Sequence, residues 1–303
     1  MPPIEVRPLR PGQEKTWLGM NLSASEVEAS LPDFAERVRK GSADERSFLL
    51  AFDGPRCVGR LEGTFPGPTV YIVREIHAVE GPDTLGTEDA LCAYLRPSFA
   101  GERVSVLTWD VPESKAINDA LGRAGFEIRK RKIVVERSIA GYTSPYDDPF
   151  TYSSLEDVGR ENFVRIMAEA SEGDPFENPT DRDVDREFQE MVDYAGKRFD
   201  PTWWTIASLG GEAVGVVLPQ AYTGYDDEGT LFYVGVRPGL RSRGYGKILH
   251  AAGLEFLSRH GVTKYIGSTD DRNVPMIAVF KANGCAHTAT QVFRRAEQGQ
   301  ETG

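Results

Sequence analysis

Val236-Arg237-Pro238-Gly239-Leu240-Arg241-Ser242-Arg243-Gly244-Tyr245-Gly246-Lys247 carries three arginines, a lysine and three glycines in twelve residues. The chain around it is acidic, with a formal net charge of -11 over 303 residues. The apolar, alternating run Gly229–Val236 precedes the stretch and reads as a strand. Ile248-Leu249-His250 begins a helical pattern after it. The glycines therefore fall in a loop that feeds a helix N-terminus. There the first N–H groups have no partner within the helix, and the helix dipole is positive. Arg241, Arg243 and Lys247 add full charges at the same point. Such a loop is built for a phosphate or pyrophosphate.

Spacing excludes two familiar phosphate loops. A Walker A loop needs a glycine five residues before Gly246 and Ser or Thr after Lys247, where Arg241 and Ile248 stand. A dinucleotide fingerprint needs a third glycine where Leu249 is.

Reading outward, two halves repeat one order of elements. The first has a strand at 4–8, helical patterns over 12–40 and a hairpin turning at Asp53-Gly54. A strand near 69–79, a helix at 86–98 and a strand at 104–109 follow. A helix from Pro112 to Gly125 then leads to a strand from Phe126. The second has a strand at 150–152, helices at 155–170 and 181–197, and strands at 203–207 and 213–218. After strand 229–236 come a helix at 247–259, a strand at 263–268, a helix from Pro275 to Asn283 and a strand at 286–294. Asn273…Gly284 overlays Ser114…Gly125 without a gap. The expected fold class is α+β: two tandem domains, each a mostly antiparallel sheet flanked by helices. Residues 1–140 form one domain, turn-rich 141–149 the linker, 150–296 the second domain and 297–303 a frayed tail.

Composition narrows the function. Hydrophobic content of 40% and charged content of 27% suit a soluble globular chain. The acidic balance argues against nucleic-acid partners. Three scattered cysteines and four unclustered histidines predict neither disulfides nor a metal. The absence of a signal peptide or a long apolar run predicts no membrane and a cytoplasmic location.

Val234-x-Val236-x-Pro238-x-x-Arg241-x-x-Gly244-x-Gly246 resembles the acyl-CoA loop of the GNAT superfamily of N-acetyltransferases. Asn273, Met276, Phe280 and Gly284 partly match that family's second signature. The resemblance implies an N-acyltransferase that moves an acetyl group from acetyl-CoA directly to the amine of a small-molecule acceptor, as monomer or homodimer, without a metal. It implies that the N–H groups of Ser242, Arg243, Gly244, Tyr245, Gly246 and Lys247 cradle the CoA pyrophosphate. Arg241, Arg243 and Lys247 offset its charge. Val234 and Val236 receive the pantetheine arm, Val234 polarises the thioester carbonyl, and Asn273 and Phe280 line the cofactor.

Two departures stand out. Phe280 occupies the place of the tyrosine that serves as general acid, leaving Tyr233, Tyr245, Tyr265 or a water. Thr230 occupies the usual place of the glutamate base. Glu228, two residues earlier on the same strand face, is the preferred base, with Asp226 and Asp227 as rivals. These departures give weight to a second reading, a non-catalytic acyl-CoA-binding or regulatory protein. Trp203 and Trp204, adjacent on a strand, are expected on opposite faces. His250 and Cys285 are expected in the core. Glu169, Glu172, Asp174 and Glu177 form an acidic rim suited to a cationic amine. The corresponding loop of the first half, Val79–Asp89, is acidic where the cations should be, so that half is expected to bind no CoA.

Overall fold

The computed structural model describes residues 3–41, 46–67, 70–81, 83–99, 104–174, 176, 183–222 and 227–296. Asp226 and Glu177 lie outside them. The chain forms two compact units, Met1–Arg131 with Ala289–Gly303, and Lys132–Thr288.

The first unit contains β1 (Glu5–Pro8), α1 (Glu14–Leu18), α2 (Ala24–Gly41), β2 (Phe48–Asp53), β3 (Arg56–Gly67) and β4 (Val70–Ala78). α3 (Thr84–Phe99), β5 (Ser105–Trp109) and α4 (Lys115–Arg123) follow. Its strand order is β1-β2-β3-β4-β5, closed by β12 (Ala286–Ala296), which pairs antiparallel with β5 from Gln291↔Trp109 to Arg294↔Val106. Alternation along β2 decides the layers. Leu49 and Ala51 join α3 and α4 in one buried cluster, while Phe48, Leu50 and Phe52 join Trp17, Val27 and Phe34 of α1 and α2 in another.

The second unit begins within β6 (Phe126–Ser138), whose Lys132–Ser138 segment pairs antiparallel with β11 (Lys264–Asp270). Its other elements are β7 (Thr151–Ser154), α5 (Leu155–Val158), α6 (Arg160–Ser171), α7 (Val184–Ala195), β8 (Thr205–Leu209) and β9 (Glu212–Ala221). β10 (Glu228–Val236), α8 (Tyr245–Arg259) and α9 (Val274–Ala282) complete it, in strand order β6-β11-β10-β9-β8-β7. β9 is buried almost throughout because both faces of the sheet are covered. Val214 and Val217 pack toward α8 and α9, Val216 and Leu218 toward α6 and α7.

The α+β reading, with mostly antiparallel sheets flanked by helices, is what the structure has, and most element positions agree within a few residues. Two expectations change. The units do not divide at the 141–149 segment: the end of β6 belongs to the second unit and most of β12 to the first. Turn-forming composition marks where the chain bends, whereas pairing between distant strands decides where a unit ends. Trp203 and Trp204 precede β8 rather than lying on it. They still part: Trp204 is fully buried in the α6–α7 cluster, and Trp203 meets the rings of Phe256 and His260 on α8.

Candidate active site

The site starts from an irregularity in β10. Leu231 pairs with Pro219 and Val234 with Val217, so Phe232 and Tyr233 together oppose the single residue Leu218. Pro219 has no N–H to donate, which favours a bulge at that point of the ladder. The bulge sends both Phe232 and Tyr233 against the α6–α7 cluster, while Leu231 and Val234 face the α8–α9 cluster. Tyr233 lies along Gly235, where a β carbon would stand 2.5 Å from its ring.

A second irregularity opens the neighbouring edge. β10 runs parallel to β11, yet the two pair only at Glu228↔Lys264 and Gly229↔Tyr265. From Thr230 onward they part, and the backbone edge of Val234 and Val236 is released from β11. An extended ligand can bond to such an edge as another strand would.

The slot leads to the basic loop. Pro238–Leu240 form a short 3₁₀ turn, Arg241 is extended, and Ser242 is left-handed with φ 63°. Gly244 caps α8 with φ 81°, a conformation that side chains rarely adopt. No side chain caps this helix, so the turn of amides from Ser242 to Lys247 is available to an anion.

The cations divide the work. Among the described residues none of Arg241, Arg243 and Lys247 is paired with a carboxylate. Arg241 spends its guanidinium on three carbonyls: Nε donates to Val236 O at 2.9 Å, and Nη2 to Ala170 O at 3.0 Å and Glu172 O at 2.7 Å. It ties the loop to the C-terminus of α6. Arg243 is exposed, with one contact of 3.3 Å to Gly239 O, and Lys247 Nζ sits 4.9 Å from the centre of the Tyr146 ring. Arg243 and Lys247 are therefore the cations that remain for an anion.

Other predicted residues are placed as follows. Asn273 caps α9, its Oδ1 accepting from Met276 N at 3.2 Å. Phe280 is buried, edge-on to His250 at 5.5 Å, and serves the core. Tyr245 is edge-on to Phe150 at 5.2 Å. Thr230 is buried and bonded to Tyr222, whose hydroxyl burial pushes above its ordinary range. Cys285 is partly buried, which raises its thiol to about 11.

Glu228 corrects an expectation. Its Oε1 accepts from Lys264 Nζ at 3.2 Å, at the closed end of the slot where the strands still pair. Six residues separate it from Val234, about 20 Å of strand. The same-face argument holds for Thr230 but does not bring a carboxylate to the bulge.

One group escaped the sequence reading. Asp270, at the end of β11, is buried and holds Arg272 through Nε at 2.9 Å and Nη2 at 3.1 Å. The Arg272 guanidinium lies 5.6 Å from the ring of Phe176, in the segment that follows α6. D-D-R at a strand end looks like a turn, and Asp270 does accept from the Arg272 amide at 3.0 Å. Nothing local announces the aromatic partner. No group of three His, Cys, Asp or Glu side chains among the described residues is placed to hold a metal, and no described helix is long and apolar enough to cross a membrane.

Known proteins bear on this arrangement. Residues 164–285 match the model of the Acetyltransferase (GNAT) family. A mycothiol acetyltransferase of Streptomyces bingchenggensis is 32% identical over 99 residues, 33% of this chain and 32% of that protein. One from Streptomyces scabiei is 31% identical over the same length. The match thus spans about a third of the length of these curated relatives. Two solved structures share the fold over nearly the whole chain. A GCN5-related N-acetyltransferase from Sphaerobacter thermophilus has a TM-score of 0.61 at 17% identity, covering 96% of this chain and 95% of its own. A tandem GNAT protein from the clavulanic acid biosynthesis pathway has a TM-score of 0.55 at 17% identity, covering 98% and 99%.

Proposed function

We propose, from the match of residues 164–285 to the Acetyltransferase (GNAT) family, that the second unit transfers an acetyl group from acetyl-CoA to the amine of a small molecule. The observation that carries the reading is one continuous path. Two parallel strands part after two pairs of residues, a bulge interrupts the exposed edge, and the edge runs into an uncapped helix N-terminus flanked by cations that meet no carboxylate among the described residues.

Each part has a role in direct transfer. The amides of residues 242–247, with Arg243 and Lys247, bind the pyrophosphate. Val234 and Val236 bond the pantetheine arm through their backbone. The Val234 N–H stabilises the oxygen of the thioester carbonyl as the amine adds to its carbon. The C–N bond forms, the C–S bond breaks, and the surplus amine proton leaves to solvent. Arg241 holds the loop against α6, and Tyr233 walls the slot. The name of the curated relatives, mycothiol acetyltransferase, supports a small-molecule acceptor.

The test mixes the protein with acetyl-CoA and a panel of amino sugars, amino acids, polyamines and peptides, following release of free thiol. Turnover with at least one amine is expected. Tight CoA binding with no turnover on any amine would instead support a non-catalytic acyl-CoA-binding protein, a reading favoured by the buried Phe280. No CoA binding would remove both.

A further inference from the structure

The slot between β10 and β11 opens toward α6 and α7. Along β11, Tyr265 and Gly267 face α8 and α9 and are buried, while Ile266 and Ser268 on the opposite side are half-buried and exposed. By the Glu228↔Lys264 register, Ile266 and Ser268 share their side with Glu228, Thr230 and Phe232 of β10. A second substrate therefore reaches the bulge from the α6–α7 side.

A strip of surface runs on that side from the bulge back to the closed end of the slot. Its middle is apolar. Tyr194 of α7 is 66% exposed and tilts against Phe232 at 5.7 Å, and Ile266 belongs to neither core cluster of this unit. Gln220, paired with Thr230 across β9 and β10, faces the same side. Its Nε2 donates to Arg198 O at 3.0 Å and Ala221 O at 3.1 Å, which fixes that atom as the nitrogen. Its buried Oε1 meets no donor among the described residues. An acceptor left open here suits a ligand that brings N–H groups. At the closed end Lys264 Nζ lies 3.2 Å from Glu228 Oε1 and 3.2 Å from Glu136 Oε2. One ammonium serves two partly exposed carboxylates, so a negative charge is left over. Glu136 pairs with Ile266 across β6 and β11. The register then puts Glu136 four residues and Glu228 six residues behind Val234, about 13 and 20 Å of strand.

Given the acetyl transfer proposed above, on which this rests, we infer that the acceptor is a linear molecule with an amine at each end. One amine takes the acetyl group at the bulge, with the bonds made and broken already described. The other stays protonated and is held at Glu228 and Glu136, and the chain between them lies along Phe232, Tyr194 and Ile266. Glu228 thus anchors the far end of the acceptor and takes no proton at the near end.

The test compares a graded series of α,ω-diamines with ω-amino alcohols of matching length, using acetyl-CoA and following free thiol. Each amino alcohol offers the same chain and reacting amine without the second charge. Short diamines should react no better, per amine group, than their amino alcohols. Diamines whose nitrogens stand about 13 Å or more apart should be about five- to tenfold better in kcat/KM. Glu228→Gln and Glu136→Gln should each cut that preference about threefold. Tyr194→Ala, at an exposed position, should instead lower kcat/KM for the long diamine and the long amino alcohol alike, because it touches the chain and not the charge. Should the glutamine variants fold poorly, the length series on wild type and the Tyr194 variant still decide. A wild type without the preference at any length, or a preference that ignores length and survives loss of either carboxylate, overturns the inference. No turnover with any amine overturns the acetyl transfer proposed above instead, and calorimetric binding of the same pairs to CoA-saturated protein then reads the preference directly.

Discussion

Arg241 and Arg243 stand two residues apart in one basic loop, and the structure gives them separable tasks. Arg241 donates three hydrogen bonds to carbonyls of β10 and the end of α6, at 2.7–3.0 Å. Bonds from a charged donor contribute about 1.5–3 kcal/mol each when well buried. These are only partly buried, so Arg241→Gln is expected to cost about 2–4 kcal/mol in all. In a unit of about 150 residues each kcal/mol moves the melting midpoint by roughly 2–4 °C. The midpoint should fall by about 5–15 °C. Arg243 is exposed and makes one 3.3 Å contact. Arg243→Gln should leave the midpoint within about 2 °C and weaken acetyl-CoA binding about three- to tenfold, more at low salt than at high. Thermal unfolding with and without acetyl-CoA reads both effects, because ligand stabilisation tracks the dissociation constant. A wild-type midpoint for Arg241→Gln, together with a drop of several degrees for Arg243→Gln, would refute the division of labour.

Two further predictions concern stability. A β carbon at Gly215 would meet the backbone oxygen of Gly235 at 2.0 Å, whereas one at Gly239 meets nothing within 4 Å. Gly215→Ala should destabilise by about 2–3 kcal/mol in a denaturant titration and Gly239→Ala should not; equal midpoints would show that β10 yields freely there. His250 is buried neutral, with its pKa lowered from 6.5 to about 3. Above pH 6.5 the ring is neutral in both states and contributes no slope. As pH falls from 6.5 toward 3 the unfolded ring takes a proton that the folded one refuses, so stability should drop by up to about 1.4 kcal/mol per pH unit. His250→Gln should lack that component; an identical pH profile would exclude it.

Much of this was legible before any coordinates. The loop is a local device. Glycine at a left-handed cap, arginine spacing and a following apolar helix are all visible within twelve residues, and α8 begins at Tyr245 directly after Gly244. The slot was not legible. Its width depends on where β10 stops pairing with β11, some 36 residues away in the chain, and on Pro219 opposite the bulge. Charge counting also treats Arg241, Arg243 and Lys247 alike, because two of the three carbonyls that claim Arg241 lie at the end of α6, some 70 residues away in the chain. Strand parity points to Glu228, yet parity tells faces apart and carries no sense of distance along the strand. His250 was expected to be packed and is, yet its position between Asn283 and Tyr265 required three segments to meet.

The last strand described here completes the first unit. A ribosome making this chain would therefore release Met1–Arg131 long before β12 exists to close its sheet, while the segment with the basic loop emerges with all of its own strands. The edge of β5 must wait, unpaired on that side, until β12 has been made, and an unpaired edge invites mispairing. Clipping the chain within β12 would accordingly damage the first unit and leave the basic loop of the second covalently intact.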